Sequence, residues 1–169
     1  EFEKRNIAKP VISVVTQVRV DKEDPSFKKP SKPIGPFYTK EEADAEAAKD
    51  GSTYVEDAGR GYRKVVPSPM PKEIVEKEAV RALVEADVLT ICSGGGGIPV
   101  VAEDGQYVGV EAVNDKDFSA RVLAENVDAD RLIILTGVDN IYINYNQPDQ
   151  KALEQISVAE AEEYIKEGH

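Results

Sequence analysis

Histidine is almost missing from this chain: the single one, His169, is the last of 169 residues. That excludes internal histidine catalysis and histidine metal sites, so acid–base or charge work falls to Asp, Glu, Lys, Arg or the backbone. Cysteine is as scarce. Cys92 alone rules out an intrachain disulfide and favours a cytosolic, cytoplasmic setting. It sits in an apolar run and reads as a small core side chain rather than a nucleophile. No apolar run approaches the length of a membrane span, and no secretory signal is visible. Positive charge is also short: 21 basic residues face 32 acidic ones, for a net charge of −11. Such a surface disfavours non-specific binding to nucleic acid or anionic membrane. It still allows a locally basic pocket for a small anion. There is no initiator Met; the first residues and the Gly168-His169 end both read as cuts through a longer protein.

Hydrophobic residues make up 41%, which places the chain among globular proteins. Residues 11–20 are rich in β-branched side chains and read as one strand, continuously apolar in its first half as if buried on both faces. Thr39 with Glu42 forms a capping box for a helix over residues 39–48. Residues 55–66 read as strand, Gly59-Arg60-Gly61 turn, strand. Residues 17–66 hold no long apolar element, so they are expected to stand off the core as a small protruding α+β subdomain. Pro71 suits the first position of a helix over residues 71–86, with Val75, Ala79, Ala82, Leu83 and Ala86 on one face. A short buried strand is expected at 88–92, another strand at 106–110, a helix at 118–127, a strand at 131–135 and a last helix opened by Ser157 and Glu160. This alternation predicts an α/β fold: an open, mostly parallel sheet with helices on both faces. The expected division is 1–16 core strand region, 17–66 protruding subdomain and 67–169 α/β core. In such sheets ligands bind beyond the carboxyl ends of strands.

Four stretches can carry chemistry. Lys116 lies between Asp115 and Asp117 at a helix start, which can hold one cation in a fixed place; the plainer alternative is a solvated turn with an N-capping Asp. Gly94, Gly95, Gly96 and Gly97 follow a strand end. No Gly-Lys-Ser/Thr comes after them, so they are no Walker loop, and Ile98-Pro99 excludes a GxGxxG helix start. Four residues without Cβ let backbone N–H groups approach an anion closely. Lys32-Pro-Ile-Gly-Pro36 holds a lysine on a stiff backbone: on these residues alone it reads first as a surface loop with a solvated lysine, and alternatively as a rigid loop at the tip of the subdomain that delivers a cation to a substrate. Thr136, Asp139, Asn140 and Tyr142, with Tyr145 near, could line an adenine or ribose pocket or form a plain polar turn. Arg60 reads as a hairpin charge before an anion clamp.

Together these segments closely resemble carbamate kinases of the amino acid kinase superfamily. The resemblance rests on residues 12–18, Lys32-Pro-Ile-Gly-Pro-Phe-Tyr-Thr39, Val55-Glu-Asp-Ala-Gly-Arg-Gly-Tyr-Arg63, residues 65–69, Gly94-Gly-Gly-Gly-Ile-Pro-Val100, Val110-Glu-Ala-Val113 with Asp115-Lys-Asp-Phe118, and residues 135–150. It implies phosphoryl transfer between ATP and carbamate, in the direction of ATP from ADP and carbamoyl phosphate in arginine catabolism, by a homodimer. It implies catalytic roles for Lys32, Lys116 and Asp117, substrate contact at Gly94, Gly95, Gly96 and Gly97, and a nucleotide side at Asp115, Thr136, Asp139, Asn140 and Tyr142. Mg2+ is implied with the nucleotide, held mostly by phosphates and water; no dedicated metal ligands are expected. A different superfamily kinase or a non-catalytic nucleotide-binding module are the alternatives. The family's opening Gly-Gly-Asn-Ala loop and a later lysine in a Pro-Lys segment are not in this chain, so the isolated chain is expected to be inactive.

Overall fold

Val18 stands between Gln17 and Arg19, and this polar–apolar–polar step places one fully buried side chain at the centre of the fold. In the computed structural model, which describes residues 2–169, these three residues are β2 (Gln17–Arg19). β1 (Val11–Ser13) precedes it. β2 is flanked by β6 (Glu73–Ile74), antiparallel, and β8 (Ile98–Glu103), parallel, with Val18 opposite Ile74 and Arg19 opposite Val100. β9 (Gln106–Gly109) completes the sheet in the order β6-β2-β8-β9. Asp104 and Gly105, at φ +48° and +77°, make the tight turn of the β8–β9 hairpin. β7 (Leu89–Ile91) pairs in parallel with β1. α2 (Lys77–Glu85) and α3 (Lys116–Asn126) complete the core elements. Val122 of α3 closes the core on Val18 and Ile74, with Leu123 packed beside them. Arg81 of α2 donates to the carbonyl of Asn126 at 2.5 Å, satisfying the carbonyl end of α3.

A second sheet lies within residues 32–66. β3 (Lys32–Tyr38), β4 (Thr53–Glu56) and β5 (Tyr62–Val66) pair antiparallel in the order β3-β5-β4, and α1 (Lys40–Asp50) packs on them. Thr39 and Glu42 form the expected capping box, and Gly51 ends α1 in the left-handed region. The chain clusters into two compact units, Glu1–Leu132 and Ile133–His169. The second contains the hairpin β10 (Ile141–Ile143) and β11 (Lys151–Leu153), then α4 (Val158–Glu167), capped by Ser157 and Glu160 as expected. No described helix is long and apolar enough to cross a membrane.

Several expectations are corrected. Residues 11–20 form two short strands, because the chain breaks at Thr16, which turns toward the glycine loop. Val11 and Ile12 are 45% and 42% exposed, since β7 is the only strand beside β1 among the described residues. Leu89 and Ile91 of β7 are likewise exposed rather than buried. The helix expected from Pro71 starts only at Lys77. Before it, the N–H groups of Lys72 and Val75 donate to the carbonyls of Arg19 and Gln17, and pairing with β2 outweighs local helix preference. Lys32-Pro-Ile-Gly-Pro36 is part of β3 and no free loop. Its prolines are tolerated because β3 is an edge strand, with its register shifting between Ile34 and Tyr38. Residues 131–135 form no strand: no described strand pairs with them, and Ile133 and Leu135 lie open. The β10–β11 hairpin, absent from the sequence reading, spans a turn containing Pro148-Asp149.

Candidate active site

The glycine loop joins β7 to β8. Ser93, Gly94, Gly96 and Gly97 all have positive φ, at +61°, +43°, +130° and +76°. Glycine is required sterically at two of these positions. A Cβ on Gly96 would lie 2.4 Å from the Asn114 carbonyl oxygen, and one on Gly97 would lie 2.5 Å from Val18 Cγ2. The loop is pinned from three sides. Gly96 N–H donates back to Ser93 O at 2.6 Å, Ser93 N–H donates to Thr16 Oγ1 at 2.8 Å, and Ser119 Oγ donates to Gly96 O at 2.8 Å. Beyond it is a hollow of about 360 Å3, lined by Val14, Thr16, Ser93, Gly94, Gly95 and Gly97. Among the described residues, the N–H groups of Gly94, Gly95 and Gly97 have no hydrogen-bond acceptor. Unspent N–H groups on a positive-φ loop form a cradle suited to a small anion.

α3 starts where this loop packs. Asn114, almost fully buried, backs onto Gly96, and neither polar atom of its side chain has a partner. Asp115 is the N-cap: its Oδ1 accepts from Asp117 N–H at 2.9 Å. Its Oδ2 accepts from Lys32 Nζ at 2.6 Å, across 83 positions of sequence. The Lys32 ammonium beside it holds the Asp115 carboxyl below the usual carboxylate range, helped by the helix N–H groups and opposed by partial burial. Lys116 Nζ donates to Asp117 Oδ1 at 2.7 Å, and that carboxylate raises the Lys116 pKa. Two lysines, each held by one aspartate, thus meet at the N-terminus of α3, where the helix dipole also favours negative charge.

The structure therefore brings Lys32, Asp115, Lys116 and Asp117 together and sets Gly96 against the same helix. Thr136, Asp139, Asn140 and Tyr142 lie in the second unit, around a pocket of about 560 Å3 that Ile134, Val138 and Tyr145 also line. Tyr142 and Tyr145 are paired at 5.6 Å between ring centroids, and Thr136 Oγ1 donates to Val138 O at 2.7 Å. Arg60 behaves as a hairpin charge, paired with Asp57 and lying 4.8 Å from the Phe37 ring. Cys92 is half-buried, and burial raises its thiol pKa, which suits no nucleophile. Sequence reasoning missed Thr16, Asn114 and Ser119. Their contacts join residues far apart in the chain, and no local motif marks them. Among the described residues no group of three or more His, Cys, Asp or Glu side chains could hold a metal ion.

The amino acid kinase family matches residues 38–169. The chain belongs to the amino acid kinase family. Within it, similarity to carbamate kinases runs along essentially the whole chain. Identity is 56% to the carbamate kinase of Clostridium perfringens over 99% of this chain and 54% of that protein. It is also 56% to carbamate kinase 1 of Enterococcus faecium, over 100% of this chain and 54% of that one. Two solved structures of the Giardia lamblia carbamate kinase superpose well. The one bound to citric acid has a TM-score of 0.90 at 43% identity, covering 99% of this chain and 53% of that chain. The one bound to AMP-PNP has a TM-score of 0.84 at 46% identity, covering 99% and 54%. The chain of this family member spans about half the length of these relatives.

Proposed function

We propose that this chain is a segment of a carbamate kinase, which moves a phosphoryl group between ATP and carbamate, physiologically from carbamoyl phosphate to ADP. The observation that carries this reading is the convergence of Lys32 and Lys116 on the N-terminus of α3, next to the glycine loop. Phosphoryl transfer asks the protein for position and positive charge around the equatorial oxygens and for little covalent chemistry. Lys32 and Lys116 supply the charge. Asp117 orients Lys116, and Gly94, Gly95 and Gly97 offer N–H groups to the small anionic substrate. The pocket of Thr136, Asp139, Asn140 and Tyr142 suits the nucleotide, with an aromatic pair for a base. The solved relative bound to AMP-PNP supports nucleotide use. Mg2+ would come with the nucleotide and be held by phosphate oxygens and water, while Asp115 and Asp117 are engaged by lysines. The enzyme is expected to act as a cytoplasmic homodimer.

ATP formation from carbamoyl phosphate, ADP and Mg2+ tests this reading, in the longest polypeptide that carries this chain. Lys116→Ala should lower the rate by about 100- to 1,000-fold, as for removal of one well-placed transition-state donor. The 169-residue chain alone should form no ATP, because it spans about half the length of its relatives. Equal turnover of acetyl phosphate would discard carbamate as the substrate, and an active Lys116→Ala variant would discard the assigned chemistry.

A further inference from the structure

Asp115 was expected on the nucleotide side, yet both of its oxygens are already engaged. Oδ1 serves the helix cap and Oδ2 holds Lys32. Lys32 opens β3, with Lys32 opposite Val66, Pro33 opposite Val65 and Ile34 opposite Lys64, so its backbone is fixed by the sheet. Its side chain is not fixed by the sheet: a four-carbon stem leaves an ammonium free to sweep a wide volume. The Lys32 and Asp115 side chains are only 37% and 26% exposed, so the pair is partly shielded from water and salt. Lys116 differs. It is held by its own sequence neighbour, Asp117, and their side chains are 62% and 49% exposed.

We propose that Asp115 is a positioning residue for Lys32: one carboxylate caps α3 and anchors the Lys32 ammonium of the three-stranded sheet at the start of that helix. The lowered pKa of Asp115 agrees with this, since the Lys32 ammonium favours its charged form and keeps the carboxylate ionised in the folded protein near neutral pH. Two lysines at one helix start would repel each other if each were unheld. Two aspartates, one per lysine, hold the two ammonium groups on separate carboxylates. Asp115 then orders the subdomain strand β3 and the core helix α3 through a single contact. The placement stands on its own; only the use of the placed ammonium in phosphoryl transfer rests on the proposed function.

The test needs no substrate, so it is decided separately from the kinase reading. Asp115→Asn keeps an N-capping oxygen but removes the charge. Acetylation of each lysine in the folded, longest polypeptide that carries this chain is followed by peptide mass spectrometry, with hydrogen exchange of β3 and β5 amides alongside. Loss of the charge alone would act on Lys32 and on Lys116, which adjoins residue 115. Loss of position acts on Lys32 only. Lys32 should label about fivefold faster in Asp115→Asn, with Lys116 changed less than about twofold. Asp115→Glu, which restores the charge, should bring Lys32 labelling back toward the wild-type rate. Unchanged Lys32 labelling, or an equal rise at both lysines, overturns the proposal. Should Asp115→Asn fail to fold, Lys32→Met breaks the same contact from the other side. It must then speed exchange of the β3 and β5 amides, and unchanged exchange overturns the proposal as well.

Discussion

A methyl group added at Gly97 has no room: it would meet Val18 Cγ2 at 2.5 Å and Thr16 O at 3.2 Å, on a backbone at φ +76°. Gly95 is the contrasting neighbour. It has no positive φ, and nothing lies within 4 Å of an added Cβ. Left-handed strain and overpacking together predict that Gly97→Ala costs roughly 2–4 kcal/mol. Gly95→Ala should be neutral or slightly stabilising, by less than about 1 kcal/mol, because it restricts the unfolded chain. Urea denaturation of both variants checks the pair. Equal costs would mean that the loop relaxes as a whole and that its shape is not fixed by Val18 and Asn114. The run of four glycines was visible in the sequence, but which of them are sterically obligatory was not. That depends on Val18 and Asn114, 79 and 18 positions away from their glycines, and on how they pack. The same holds for Lys32: the sequence singles out the residue, but not its partner Asp115, 83 positions away.

At the level of elements, β6 shows how tertiary pairing redirects a local preference. Pro71 and the apolar spacing after it suit a helix, yet Glu73 and Ile74 pair with β2, and Glu76 accepts from Gln17 N–H at 2.8 Å. Ile74 is wholly buried against Val18 and Val122 as a result. Ile74→Ala should therefore cost about 2–4 kcal/mol, the price of a cavity at the centre of the sheet. Val84→Ala on α2, where Val84 is 48% exposed, should cost less than about 1 kcal/mol. Thermal and urea unfolding separate the two; similar values would place the core elsewhere. Helices α1 and α4 were legible because their capping boxes are local: each start signal, Thr39 with Glu42 and Ser157 with Glu160, lies within four residues. α3 was expected at residues 118–127; it starts two residues earlier, at Lys116, behind the single N-cap of Asp115, which has no capping-box partner. The short strands were harder to read. A three-residue strand is defined by its partner, and partners such as β1 and β7 lie far apart in sequence. The same pairing logic hid the β10–β11 hairpin.

At the scale of the whole chain, apolar surface remains open where a strand was expected. Leu132, Ile133, Ile134 and Leu135 have a strand's composition, yet Ile133 is 77% exposed and Leu135 91% exposed, with no strand beside them among the described residues. Isolated exposed leucines are ordinary, but four adjacent apolar residues form a patch that water disfavours. Relatives of nearly twice this length supply additional chain, and this run is suited to burial by it. Leu135→Asp distinguishes the two situations. In the 169-residue chain it should change stability by no more than about 0.5 kcal/mol, because the side chain touches little. In the longer polypeptide it should cost about 2–3 kcal/mol or more, the transfer energy of a buried leucine plus the penalty of an unpaired carboxylate. Paired unfolding curves of the two lengths decide it. Tolerance of the aspartate in both would leave residues 131–135 as surface in the complete protein, and a strand at that position would then be excluded from the family member's sheet.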